Sequence, residues 1–212
     1  MKAYCISGLG ADRRVYDFLT LKVELIHLDW ITPQKNESLQ HYALRLSEKI
    51  NTREDFILIG VSFGGVVATE IAKVLHPKLT ILLSTIEISL ELPLLYRIVG
   101  RTRFLEILPH QLFRMPFLIA SKLFGTKHKV LKDILKDSDP SFTQWAVNAL
   151  IHWKNEQRLS SNKLRIYGSK DLILPARECD VLIEGGHHFM IVDRANEISS
   201  IINNKLDELI SN

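Results

Sequence analysis

The feature that most restricts this chain is a set of short apolar runs that do not alternate. Residues 55–61 and 79–84 are close to continuously apolar, and residues 2–7 carry a shorter run of the same kind. A strand with one face in water alternates polar and apolar positions. A strand buried on both faces loses that alternation, which is the pattern of parallel sheets sandwiched between helices. Further β-favouring runs at 23–28, 164–167 and 181–183 bring the expected count to six strands.

Helical patterns fill the intervals. Leu39, Tyr42, Ala43, Leu46 and Ile50 recur at spacings of three and four, the signature of one buried helix face. Val66, Val67, Ile71, Ala72 and Leu75 predict a second helix, closed by His76-Pro77. Ile198, Ile201, Ile202, Leu206 and Leu209 predict a last one, and a shorter stretch is expected at 13–19 with Asp12 as its cap. Strand and helix in alternation predict an α/β fold: a mostly parallel sheet of six strands covered on both faces.

One segment breaks the alternation. Residues 90–153 read as several short helices interrupted by Pro93, Gly100, Pro109, Pro116 and Gly125. The clearest starts at Asp139-Pro140, an N-cap followed by proline at the first helical position. It presents Phe142, Trp145, Ala146, Ala149, Leu150 and Trp153 along one stripe. Residues 97–136 hold nine Lys/Arg against Glu106 and Asp133, within a chain whose net charge is only +3. Such a shift marks an inserted subdomain. The domain reading is a core of 1–89 and 154–212 with an insertion at 90–153.

Other classes fall away. A net charge of +3 does not argue for nucleic acid. No apolar run approaches the roughly 18 residues that cross a bilayer, so no membrane insertion is expected. The start of the chain meets Gly8 too early for a signal-peptide core. Cys5 and Cys179 have no zinc-ligand spacing and make no disulfide framework. The expected compartment is cytoplasmic, with no metal and no organic cofactor, and the sequence assigns no oligomeric state.

The chemistry centres on Gly60-Val61-Ser62-Phe63-Gly64-Gly65, a G-x-S-x-G pattern at a strand-to-helix junction. An abrupt turn there lifts the serine hydroxyl above the sheet edge, and small neighbours let strand and helix approach. A serine needs a base. Among eight histidines, Gly185-Gly186-His187-His188 stands apart, after the last strand and before the last helix. His187 is taken as the base ahead of His188 because it directly follows the glycine pair. The base needs an acid to fix its tautomer. Asp171, in Gly168-Ser169-Lys170-Asp171 after the preceding strand, is placed ahead of Glu87. The oxyanion would be held by the backbone N–H groups of Phe63 and, from Gly8-Leu9-Gly10, of Leu9.

With these residues placed, the chain resembles the α/β-hydrolase fold superfamily in its serine-nucleophile branch, shortened at the N-terminal side of the sheet. Residues 6–10 look like the oxyanion loop, 60–65 like the nucleophile elbow, 167–175 like the acid loop and 185–187 like the histidine loop. The order Ser62, Asp171, His187 is the one that fold uses. The resemblance implies a helical cap at 90–153 and a serine hydrolase cleaving a small-molecule carboxylic ester or thioester through an acyl-enzyme. The alternatives on the same fold are a carbon–carbon bond hydrolase or lyase, or a non-catalytic ligand-binding member. The basic segment suggests either an anionic substrate or simply a solvated helical surface. Phe104, Leu105, Leu108, Phe113, Phe117 and Leu118 are expected to line an acyl pocket or to pack the cap.

Overall fold

Successive residues of the central strands enter two different hydrophobic cores. A computed structural model describes residues 1–100, 102, 105 and 107–211. Strands β1 (Lys2–Ile6), β2 (Glu24–His27), β3 (Phe56–Val61), β4 (Leu79–Leu83), β5 (Lys163–Gly168) and β6 (Val181–Ile183) form one sheet. Their order is β2-β1-β3-β4-β5-β6, and every neighbouring pair is parallel. Ala3, Cys5, Ile57, Ile59, Ile81 and Leu83 point into the first core. Tyr4, Ile6, Phe56, Leu58 and Leu82 point into the second. This is the period of two inherent in a strand, with both phases apolar because both faces are covered.

The last helix, Ala195–Ser211, covers the first face with Ile198, Ile202 and Leu206. Helices α1 (Leu39–Ser47) and α2 (Phe63–Leu75) cover the second with Leu39, Tyr42, Leu46, Val66, Val67 and Ile71. Full burial of each such side chain is worth about 1.5–3 kcal/mol. The α/β architecture expected from the sequence is the one observed, with strand ends shifted by a residue or so. The expected helix at 13–19 is a single 3₁₀ turn, Arg13–Val15. Asp12 caps it by accepting the Arg14 N–H at 3.0 Å.

Between β4 and β5 lie α3 (Leu94–Val99), α4 (Phe117–Phe124), α5 (Lys129–Asp137) and α6 (Pro140–Ile151). Asp139 caps α6 by accepting the Ser141 N–H at 2.8 Å. Gly125, at φ 71°, ends α4 in the left-handed conformation that glycine adopts without strain. Ala120, Leu131 and Ile134 reach the first core, while Phe142 and Ala146 reach the second. Leu118 is 76% exposed and so neither packs the cap nor closes a pocket wall from inside, and Phe104, Arg101, Arg103 and Glu106 lie outside the described residues. Among the described residues no helix is long and apolar enough to cross a membrane.

A topological switch falls between β1 and β3: from β1 the chain moves outward to β2, then crosses back to β3 and onward. Such a reversal opens a crevice at the carboxyl ends of the two strands. The loop after β1 and the turn after β3 meet there.

Candidate active site

Ser62 stands between the end of β3 and the first residue of α2, at φ 52° and ψ −123°. A side chain rarely adopts such a backbone, and it persists only when the surroundings hold it. They do so here. The Ser62 N–H donates to the Leu83 carbonyl at 2.9 Å, and its own carbonyl accepts the Thr85 hydroxyl at 2.6 Å and the Gly65 N–H at 2.9 Å. The flanking glycines are sterically required. A Cβ on Gly60 would stand 2.5 Å from the Gly65 Cα, and one on Gly64 would overlap the carbonyl oxygens of Ile6 and Ser7.

The Ser62 hydroxyl lies 2.9 Å from Nε2 of His188, and Nδ1 of the same ring lies 2.7 Å from Oδ2 of Asp171. The other carboxylate oxygen of Asp171 accepts the N–H groups of Ile173 and Leu174, each at 2.9 Å. Asp171 and His188 are buried. In the tautomer that gives Nδ1–H to the carboxylate, Nε2 carries the lone pair and is placed to accept a hydrogen bond from the serine hydroxyl. The acid loop is tied to the histidine loop by the Lys170 N–H, which donates to the Gly186 carbonyl at 2.8 Å.

The structure therefore brings Ser62 and Asp171 together with His188, and not with His187. The reason is a backbone turn. Gly185 takes φ 72°, and the Gly186 N–H returns to the Ile183 carbonyl at 3.0 Å. This advances the chain by one position before it faces the edge of β3. The His187 ring instead packs over Gly125 at the end of α4, where its Nδ1 is buried with no partner among the described residues. Two adjacent imidazoles give the sequence no means of choosing, because the turn decides.

Glu87, the rival acid, is committed elsewhere. It is fully buried and accepts from Lys163 Nζ at 2.7 Å, the Leu159 N–H at 2.6 Å and Arg158 Nη1 at 2.9 Å. Nearby Glu91 takes the Arg165 guanidinium at 2.7 Å. The Tyr167 hydroxyl donates to the Thr85 carbonyl, and burial pushes that phenol up to about 12. Burial, and secondarily the charge of Asp171, raise the Tyr96 phenol of α3. Burial likewise raises the Cys5 thiol, which makes it an inert core residue rather than a nucleophile.

Phe63, at the first position of α2, has an N–H beyond reach of any carbonyl inside that helix. Gly8 approaches closely enough that a Cβ there would lie 3.3 Å from the Ser62 Cβ, so the Leu9 segment borders the serine. Gly8, Leu9, Ser62, Phe124 and His188 line a cavity of about 20 Å³, room for about one water. Phe124 meets the His188 ring edge-on at 5.3 Å. Beyond Ala11, which borders both spaces, lies a groove of about 280 Å³ bordered by Trp30 and Phe142, whose rings pack together at 5.2 Å, with Asp12, Asp137 and Asp139 also along it. Neither Phe124 nor this groove was indicated by the sequence. Trp30 is a loop residue outside any periodic pattern, held by its indole N–H on the Ala11 carbonyl at 3.2 Å and packed against Phe63 and Phe142.

Solved structures share this architecture. An esterase from Thermogutta terrifontis superposes with a TM-score of 0.74 at 18% identity, over 99% of this chain and 90% of its own. The chain has the α/β-hydrolase fold. The RedJ thioesterase of prodiginine biosynthesis in Streptomyces coelicolor shares the α/β-hydrolase fold with a TM-score of 0.70 at 13% identity, over 96% of this chain and 89% of its own. An N-acyl homoserine lactone degrading enzyme gives a TM-score of 0.70 at 14% identity, over 96% and 92%. No family model matches the sequence, and no curated protein does.

Proposed function

We propose that the protein is a serine hydrolase of carboxylic esters or thioesters, with Ser62 as nucleophile, His188 as general base and acid, and Asp171 as its orienting carboxylate. The observation that carries this reading is the unbroken chain from hydroxyl to imidazole to carboxylate at 2.9 and 2.7 Å, on a serine held at φ 52°. Ser62 Oγ adds to the carbonyl carbon as its proton passes to Nε2. The oxyanion takes the N–H groups of Leu9 and Phe63, and the positive end of α2 adds to its stabilisation. The tetrahedral adduct collapses, the ester C–O or thioester C–S bond breaks, and the imidazolium protonates the departing alcohol or thiol. Water then gives its proton to Nε2, attacks the acyl carbon, and the acid leaves with Ser62 reprotonated.

Residues 90–153 act in this reading as a cap over a core of 1–89 and 154–212, with Phe124 closing on His188. One arm of the substrate lies in the Trp30–Phe142 groove. Among the described residues no lysine or arginine lines that groove, and of its three aspartates Asp12 and Asp137 are already held by Arg14, so no cation is free there for an anionic substrate and an uncharged one fits better.

A fluorophosphonate probe tests the proposal. It should label the protein in proportion to active sites and leave Ser62→Ala unlabelled; equal labelling of both would remove Ser62 as nucleophile. A panel of aryl esters and thioesters of increasing acyl length then separates hydrolysis of these bonds from carbon–carbon chemistry. Labelling with no turnover across the whole panel would argue for the latter.

A further inference from the structure

Among the described residues, no lysine or arginine lines the Ser62 cavity or the Trp30 groove, although residues 97–136 are rich in basic charge. The described cations lie on the outer side instead. Helix α5 buries Leu131 and Ile134, and its exposed face repeats lysine at 129, 132 and 136, one stripe at helical spacing. Helix α4, directly before it, buries Ala120. Its outer face carries Leu118, 76% exposed, Ile119, 53% exposed, and Leu123, 36% exposed, with Lys122 among them.

Between α5 and the segment 111–117 that leads into α4 runs an open groove of about 430 Å³. Arg114, Lys132 and Lys136 line it with Met115, Phe117 and Leu135, and among the described residues no carboxylate does. None of the three cations has an ion pair with the described residues. An exposed aliphatic row on α4 and, on the neighbouring segments, cations with no ion pair among the described residues are costly to leave in water, and they are the combination that amphipathic segments present to anionic bilayers. Lysine stripes are depleted from protein–protein interfaces, whereas anionic headgroups attract them. The charge therefore selects a lipid surface over a folded acidic protein.

We propose that the outer faces of α4 and α5 dock this protein on an anionic phospholipid bilayer. Leu118, Ile119 and Leu123 enter the boundary between headgroups and acyl chains. Arg114, Lys132 and Lys136 receive the anionic headgroups, with Lys122 and Lys129 adding to the field. The protein lies on the bilayer rather than spanning it. The inner side of α4 carries Phe124 against His188, so one helix faces both the bilayer and the Ser62 site.

Sedimentation with phosphatidylcholine vesicles, with and without phosphatidylserine, tests this on the full chain. Wild type should pellet with the phosphatidylserine vesicles and release as salt rises. Each lysine near the surface is worth roughly fivefold in binding, so Lys132→Glu/Lys136→Glu should weaken it by about twenty-five-fold or more. Leu118→Ser/Ile119→Ser should weaken it as well. Unchanged thermal unfolding would show that these surface variants still fold. Failure of wild type to bind phosphatidylserine vesicles overturns the proposal, including when an acidic protein binds in their place. Binding that neither pair of substitutions weakens overturns it equally. Vesicle binding is read without turnover, so its outcome is separate from that of the Ser62 reading.

Discussion

The adjacent imidazoles allow a sharp comparison. His188→Gln keeps an amide N–H to offer the Asp171 carboxylate, which otherwise holds the ring at 2.7 Å, but glutamine cannot take a proton from Ser62. Loss of the base should lower turnover of an activated aryl ester by about four to six orders of magnitude. At 1.36 kcal/mol per tenfold, that is about 5–8 kcal/mol of barrier. Glutamine is preferable to alanine because a bare methyl would leave a buried carboxylate oxygen without its partner, a loss of about 1.5–3 kcal/mol. His187→Gln removes a ring that touches neither Ser62 nor Asp171 and whose Nδ1 is already unpaired. Its turnover should stay within about tenfold of wild type, a barrier change under 1.4 kcal/mol. The assay is steady-state hydrolysis together with the rate of fluorophosphonate inactivation for all three proteins. The reasoning fails if His188→Gln retains more than a tenth of wild-type activity, or if His187→Gln falls as far as His188→Gln.

Two further outcomes concern buried and paired carboxylates. Glu87→Ala strips Lys163 and Arg158 of a fully buried partner, which costs about 3–5 kcal/mol and should lower Tm by roughly 6–20 °C. Turnover at low temperature should stay near wild type; a lost activity with an unchanged melt would instead make Glu87 the acid. Glu37 is held well down, from 4.5 to about 2, first by its hydrogen bonds from Arg45, at 2.7 and 2.8 Å. A depressed carboxylate stabilises the fold above its unfolded pKa and loses that contribution as pH falls through the folded value. The stability gap between wild type and Glu37→Gln, followed by denaturant unfolding, should therefore be constant above about pH 5 and close as pH approaches about 2.

The strands were legible because burial on both faces leaves an unbroken apolar run, and that burial is what assembles the sheet. The position of Ser62 was legible through Gly60 and Gly64, whose missing side chains are demanded by backbone contacts with Gly65, Ile6 and Ser7. The ring beside Ser62 is one residue later than expected, His188 and not His187, because the left-handed turn at Gly185, a backbone property, decides which of two identical rings faces the serine. Leu118 was misread because α4 is apolar on both sides, with Phe117 and Phe124 inward and Leu118, Ile119 and Leu123 outward. A helix without a polar stripe gives no direction from its sequence. The Trp30 groove is made from loops and the start of α6, whose approach no local pattern encodes.

Ser62, Asp171 and His188 project from the ends of three separate strands, and the serine and its imidazole are 126 positions apart in the chain. Parallel strands join late, because each pairing must first close a long loop. Until β5 has paired with β4 and β6 with β5, Ser62 is an alcohol without the His188 ring beside it. Under the proposed mechanism, reactivity therefore waits on the far edge of the sheet, whose loops carry the carboxylate and the imidazole.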